Sequence, residues 1–133
     1  GFKNPKMVSK GILAVELVNG QWSMVNSDLL DEFNKFSILN SQFSNLPLIV
    51  ICDDADFLAA DFSNFLWVTF TRSNPSHDIY GINERYENKH WCCDTLIIDA
   101  RIKPHHAPVL KKNAEVEKRV DEILSKLIIS IPH

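Results

Sequence analysis

The sequence is sparing with the features that mark specialised chains. Glycine occurs four times in 133 residues, and none of it forms a Gly-rich phosphate loop. Cysteine occurs three times, an odd number with Cys92 and Cys93 adjacent. That is a poor disulfide framework and suits reduced thiols in a cytoplasmic protein. No charge of one sign dominates: 14 Lys and Arg face 17 Asp and Glu, a net charge of −3. No basic field therefore points to nucleic acid. No apolar run approaches the ~18 to 20 residues of a spanning helix. Signal-peptide patterning, repeats and low-complexity segments are likewise missing.

What is present is ordinary for one globular domain: 45% hydrophobic and 23% charged residues in a length that fits a single core. The chain opens Gly1-Phe2 without an initiator Met. A leading Gly of this kind reads as a tag remnant, and the rest as a piece of a longer protein.

The stretch from Leu48 to Gly81 organises the chain. Leu48, Ile49, Val50, Ile51 and Cys52 form a continuous apolar run, which predicts a strand buried on both faces. The run stops at Asp53, Asp54 and Asp56. Asp61 then caps a helix with Phe62, Phe65, Leu66, Thr69 and Phe70 on one side. The helix should end near Arg72 and Ser73, because the residue before Pro75 is pushed out of the α region. Asp78 leads into a second strand at Ile79–Gly81, giving a βαβ-like unit.

Before this unit, Pro5 to Val18 suits either a helix or an extended segment. Asn19-Gly20 is a strong turn signal, which favours a hairpin with Gln21 to Val25 returning. Leu29, Leu30, Phe33, Phe36 and Leu39 mark an amphipathic helix. After it, Asn83 to His90 reads as an exposed loop, Leu96 to Ile98 as another buried strand, and Arg101 to Pro108 as irregular. Asn113 caps a last helix with Val116, Val120, Ile123, Leu124 and Leu127 at helical spacing. Lys111, Lys112, Lys118 and Arg119 read as its solvated face. The expected fold is a single-domain, layered α/β/α arrangement with a mixed central sheet and a C-terminal amphipathic helix.

Each chemical constellation has a plainer reading. Asp53, Asp54 and Asp56 sit beyond the end of a buried strand, where ligands gather and carboxylates can hold a hard cation. Asp also simply caps turns, the reading favoured here. His90, Cys92, Cys93, His105 and His106 are zinc-binding types, but paired ligands need two to four residues between them. A Cys/His nucleophile would need an aligned base and an orienting group, so core packing is favoured for the thiols. Arg72 complements its helix dipole and is expected to pair internally with the Asp53 cluster or Asp78. Trp67 lies off the apolar stripe: core or interface if the helix is covered on two sides, otherwise an exposed aromatic that favours a partner surface.

The residues themselves add a family. Ile49 to Asp56 (IVICDDAD), Phe65 to Pro75 (FLWVTFTRSNP) and Asp78-Ile79 resemble the C-terminal region of the UbiD-type carboxy-lyases (3-octaprenyl-4-hydroxybenzoate carboxy-lyase family). There a strand ends in an acidic run, and a helix with Leu-Trp-Ala-x-x-Thr-Arg precedes a Pro turn and Asp. Asp53, Asp54, Asp56, Leu66, Trp67, Thr71, Arg72, Pro75 and Asp78 match, with one Asp fewer than usual. Ile97 to Arg101, including Asp99, is similar to the family's Gly-Ile-Asp-Ala-Thr segment. Pro5 to Lys10 is similar to a helix preceding the acidic strand; Asn19 to Asn45 matches poorly.

The resemblance implies a parent that decarboxylates aromatic or α,β-unsaturated acids with prenylated FMN, a divalent metal and potassium. Its cofactor and acid/base residues would lie upstream, so residues 1–133 would be an inert C-terminal piece with no catalytic or metal residue of its own. Asp53, Asp54, Asp56, Trp67, Arg72, Asp78 and Asp99 become structural or pocket-adjacent. The implied partners are the N-terminal part of the parent and further copies of the chain, met through Leu127, Ile128, Ile129 and Ile131. Many members carry Ser-Lys before Gly-Ile-Asp-Ala-Thr, with the Lys near the cofactor phosphate. Here Asp94 and Thr95 stand there and Ile97 replaces the Gly, so that contact does not carry over. The alternative is a free-standing interaction domain of the same fold without activity.

Overall fold

The computed structural model describes residues 1–18, 31–33, 35, 46–107 and 113–129, with side chains only to 126 in the last helix. Strands β1 (Phe2–Ser9) and β2 (Ile12–Leu17) form an antiparallel hairpin that turns at Lys10-Gly11. Gly11 has φ +87°, and a Cβ there would meet Pro47 at 3.0 Å, so the turn needs glycine. Of the Pro5–Lys10 segment, expected to be helical from the family resemblance, Pro5–Ser9 is strand and Lys10 begins the turn. Asn4 at φ 49° and two register shifts let β1 absorb Pro5. The proposed turn at Asn19-Gly20 and the returning strand at 21–25 lie outside the described residues. So does most of the amphipathic helix around Phe33, although 31–33 and 35 are helical.

Next come β3 (Leu48–Ile51), a short helix α1 (Ala55–Ala60), α2 (Phe62–Arg72) and β4 (Ile79–Ile82). Asp54 caps α1 by accepting from Phe57 N at 2.8 Å, and Asp61 caps α2 by accepting from Ser63 N at 2.6 Å. The expected cap at Asp61 and the end before Pro75 are both observed. The βαβ-like reading needs correction: β4 runs antiparallel to its neighbour, and β3 and β4 are not paired. The parallel neighbours of β3 are β2 and β7 (Thr95–Asp99), giving the order β1-β2-β3-β7-β4.

Residues 83–90, read as a loop, begin a small antiparallel pair, β5 (Arg85–Glu87) and β6 (His90–Cys92). Asn88 and Lys89 both take positive φ, 50° and 70°, as a two-residue primed turn demands. The final helix α3 (Ala114–Ile129) starts where Asn113 Oδ1 accepts from Glu115 N at 3.0 Å.

The mixed five-stranded sheet divides the core in two. Leu13, Val15, Ile49, Ile51 and Ile97 pack with Phe33 on one face. Ala14, Val50, Cys52 and Ala100 pack with Ala55, Leu58, Phe65 and Val68 of α1 and α2 on the other. Alternation along β2 and β3 sends neighbours to opposite faces. The layered α/β/α expectation holds.

Candidate functional site

Because β2, β3 and β7 are parallel, their carboxyl ends share one edge of the sheet, and antiparallel β4 starts there. This is the edge at which open α/β sheets gather polar chemistry. Asp53 follows β3, Asp99 ends β7, and Asp78 precedes β4. Arg101 folds back on Asp99 as a two-pronged pair, Nη2 to Oδ2 at 2.6 Å and Nε to Oδ1 at 2.9 Å. Both side chains are over nine-tenths buried, where such a fork is strongest. Asp99 holds the guanidinium above its usual pKa range, against the cost of burial.

Lys103 is the second pin. Its Nζ donates to the carbonyls of Asp99 at 2.9 Å and Arg72 at 3.1 Å, and lies 3.3 Å from Asp78 Oδ2. Asp78 in turn accepts from Asn74 N at 2.6 Å, fixing the proline turn after α2. Asp53 Oδ2 accepts from Ile102 N at 2.8 Å and meets Arg72 Nη1 at 3.5 Å. Arg72 also lies over the Trp67 ring, 5.2 Å from its centroid, a cation–π distance. Three carboxylates and three cations thus tie β3, α2, β4, β7 and the segment after β7 together. The internal pairing expected of Arg72 is realised with Asp53.

Asp54 and Asp56 do not join this network. Asp54 is spent on the α1 cap. Asp56 meets Lys6 Nζ at 2.7 Å and Asn4 Nδ2 at 2.8 Å, and those two donors hold its carboxyl below the usual range. Glu16 lies beside them, accepting from Ala55 N at 3.0 Å and Asn4 at 2.9 Å. The Ala55 N–H is the main reason its pKa is lowered. Glu16, Asp54 and Asp56 each place an oxygen within 4.8 Å of the others, a ligand-like spacing that Lys3, Lys6 and Asn4 already answer. Among the described residues the His/Cys set forms no such group.

Trp67 is about half exposed, with Phe62, Leu66 and Phe70 also exposed on α2. Cys52 is buried, its thiol pushed up to about 12 chiefly by burial, so it is an inert core thiol. Leu127, Ile128 and Ile129, expected to make copy-to-copy contacts, have no described side chains, and Ile131, expected likewise, lies outside the described residues. Upstream of them, Val116, Val120, Ile123 and Leu124 are each about half exposed.

Sequence reasoning missed Lys103, Arg101 as a partner of Asp99, and Glu16. A Lys four residues after a strand-ending Asp, just before Pro104, was the available signal for the first. Nothing local announces Glu16, whose partners are 12 and 39 residues away.

Comparison with known proteins bears on this geometry. No family model matches. One subunit of a 4-hydroxybenzoate decarboxylase from Chlamydia pneumoniae is 23% identical over 100 residues, 74% of this chain and 17% of that protein. The chain is similar in sequence to this decarboxylase subunit. An uncharacterised protein of Chlamydia muridarum is 31% identical over 81 residues, 60% of this chain and 14% of that protein. The chain thus spans about one-sixth of the curated relatives it matches. Two structures of vanillic acid decarboxylase from Sedimentibacter hydroxybenzoicus in its open form align with TM-scores of 0.49 and 0.46. Both are 17% identical, covering 86% of this chain and 26% and 27% of theirs; likeness at that level carries no functional information.

At the carboxyl edge of the sheet the acidic groups are committed within the chain. Asp53, Asp78 and Asp99 already accept from cations and N–H groups of the same chain. Asp94 and Thr95, where the resemblance expects Ser-Lys, are engaged as well: Asp94 accepts from Asn83 and Arg85, and Thr95 Oγ1 donates to Leu46 O at 2.7 Å. No described helix is long and apolar enough to cross a membrane.

Proposed function

We propose that the chain is the C-terminal, pocket-closing and oligomerising domain of a UbiD-like carboxy-lyase that acts on aromatic or α,β-unsaturated acids. The observation that carries this reading is that family-motif residues Asp53, Arg72, Asp78 and Asp99 converge on one sheet edge, where Asp53 meets Arg72, Asp99 pairs with Arg101, and Asp78 is held by Asn74 N and Lys103. Such an edge is rigid and self-neutralised. It can wall a pocket, while its own groups are committed to structure. Prenylated FMN, a divalent metal and potassium would be held by the rest of the parent, in the cytoplasm, and this domain alone would be inert. Incubation of the domain with prenylated FMN and cinnamate-type or 4-hydroxybenzoate-type acids should release no carbon dioxide; turnover would refute the assignment.

Oligomerisation would run through α3 and the apolar residues after it. Val116, Val120, Ile123 and Leu124 present a stripe whose burial is worth about 1.5 to 3 kcal/mol per fully covered side chain before association entropy. Sedimentation of the chain with and without 128–133 tests this. The intact chain should be the heavier species, and equal masses would sink the idea.

The exposed Phe62, Leu66, Trp67 and Phe70 favour a second reading, a free-standing interaction domain. A coding frame upstream of Phe2 that carries several hundred residues with an Asn/His/Glu metal set supports the enzyme; a start codon at the boundary supports the binding module.

A further inference from the structure

We propose that residues 101–107 form a pH-sensitive strap across the carboxyl edge of the sheet, latched by neutral His106 and released when His106 is protonated. The argument begins with the turn at Lys103–His106. Its backbone closes through His106 N donating to Lys103 O at 2.9 Å, and Pro104 sits where the turn favours it. The second bond is the informative one. Lys103 N donates to His106 Nδ1 at 3.1 Å. A backbone N–H can only donate, so Nδ1 must carry a lone pair and the ring is the neutral Nε2–H tautomer. Adding a proton at Nδ1 turns this attraction into a clash of two N–H groups.

The surroundings act in the same direction. The ring of His105 stands edge-on to that of His106, 4.7 Å between centroids. The charged neighbours are Lys103 on the strap, Arg72 at the end of α2 and Asp78 before β4. Two cations and a second imidazole outweigh one carboxylate that Asn74 and Lys103 already occupy. Burial first, then these charges, hold His106 below its ordinary 6.5.

The latch has leverage because the strap carries the pins of the edge. Ile102 N closes Asp53, Lys103 Nζ closes Asp78 and the Asp99 and Arg72 carbonyls, and Arg101 closes Asp99. Loosening the turn at Lys103 frees the first two of these. The sign follows from linkage. The open strap binds the proton more readily than the closed one, so closure is complete above about pH 6.5 and weakens as pH falls below it. Asp53 and Asp78 would then each lose a partner on the strap while keeping Arg72 and the Asn74 N–H.

Amide hydrogen exchange of Ile102 and Lys103, corrected for the intrinsic pH dependence of exchange, tests the latch directly. Protection in the wild-type chain should fall about two- to tenfold between pH 7 and pH 5, while amides of β3 hold. In His106→Phe, which cannot take the proton, protection should lose its pH dependence, whereas His105→Phe should keep it. Flat protection in the wild type, or an undiminished fall in His106→Phe, would overturn the proposal. A histidine NMR titration gives an independent reading: the His106 ring should titrate below 6.5, and titration above 6.5 would also overturn it.

Discussion

Two acidic groups lie little apart in this small domain and do different work. At the carboxyl edge, Asp99, Asp78 and Asp53 are engaged with Arg101, Lys103 and Arg72, and the innermost pair is almost wholly buried. By the β1–β2 hairpin, Glu16, Asp54 and Asp56 meet Lys3, Lys6, Asn4 and the start of α1, with Asp56 and Lys6 open to solvent. Carboxylate count and ion-pair distance are alike; what differs is that Asp99, Arg101, Asp78 and Lys103 are buried together, whereas the Asp56–Lys6 pair is not. Desolvated charges must be matched or the fold suffers, while solvated ones are screened and interchangeable. Ligand-like spacing among acids is therefore weak evidence for a metal, and full internal pairing at a sheet edge marks a structural keystone.

The sharpest break in that contrast is Asp99→Ala, which strands the Arg101 guanidinium in the interior. It should cost on the order of 3 to 5 kcal/mol in urea denaturation; a loss under 1 kcal/mol would erase the distinction between the two groups. Asp53→Ala comes next. It deprives Ile102 N of its acceptor at a partly exposed position and should cost about 1 kcal/mol, with the domain still folded. The mildest is Glu16→Gln, read as a change of pH dependence. Glu16 has a folded pKa below its ordinary 4.5, so its contribution is present above that value and fades as pH falls through the folded pKa. The variant should be slightly less stable than the wild type at pH 7 and converge with it below the folded pKa, so that its acid limb is shallower. An unchanged acid limb would show that the Ala55 N–H and Asn4 contacts do not count.

How much of this was legible beforehand follows the range of each signal. β3, the Asp61 cap, the helix end before Pro75 and the Asn113 cap were readable because each is written within a few residues. Pairing is not local, so the antiparallel placement of β4 beyond β7 left no trace near Ile79. β5 and β6 went unread because exposed Arg85, Tyr86, Glu87 and His90 bury no alternating face that would announce a strand. β1 hid behind Pro5 and the left-handed Asn4, which interrupt any periodicity. At the site, the motif residues were visible as acids and one arginine. Their counterions Arg101 and Lys103 gain meaning only when the strap folds back across 31 residues to Arg72.

The irregular first strand has a further consequence. Pro5 brings no N–H, Asn4 twists the backbone out of line, and the register slips twice within eight residues. Lys3 and Lys6 add positive charge along the same border. An incoming chain would find no continuous row of donors and acceptors to copy, so β-sheet polymerisation is discouraged along that border. The self-association proposed for α3 would in this way be kept apart from fibre formation along the first strand.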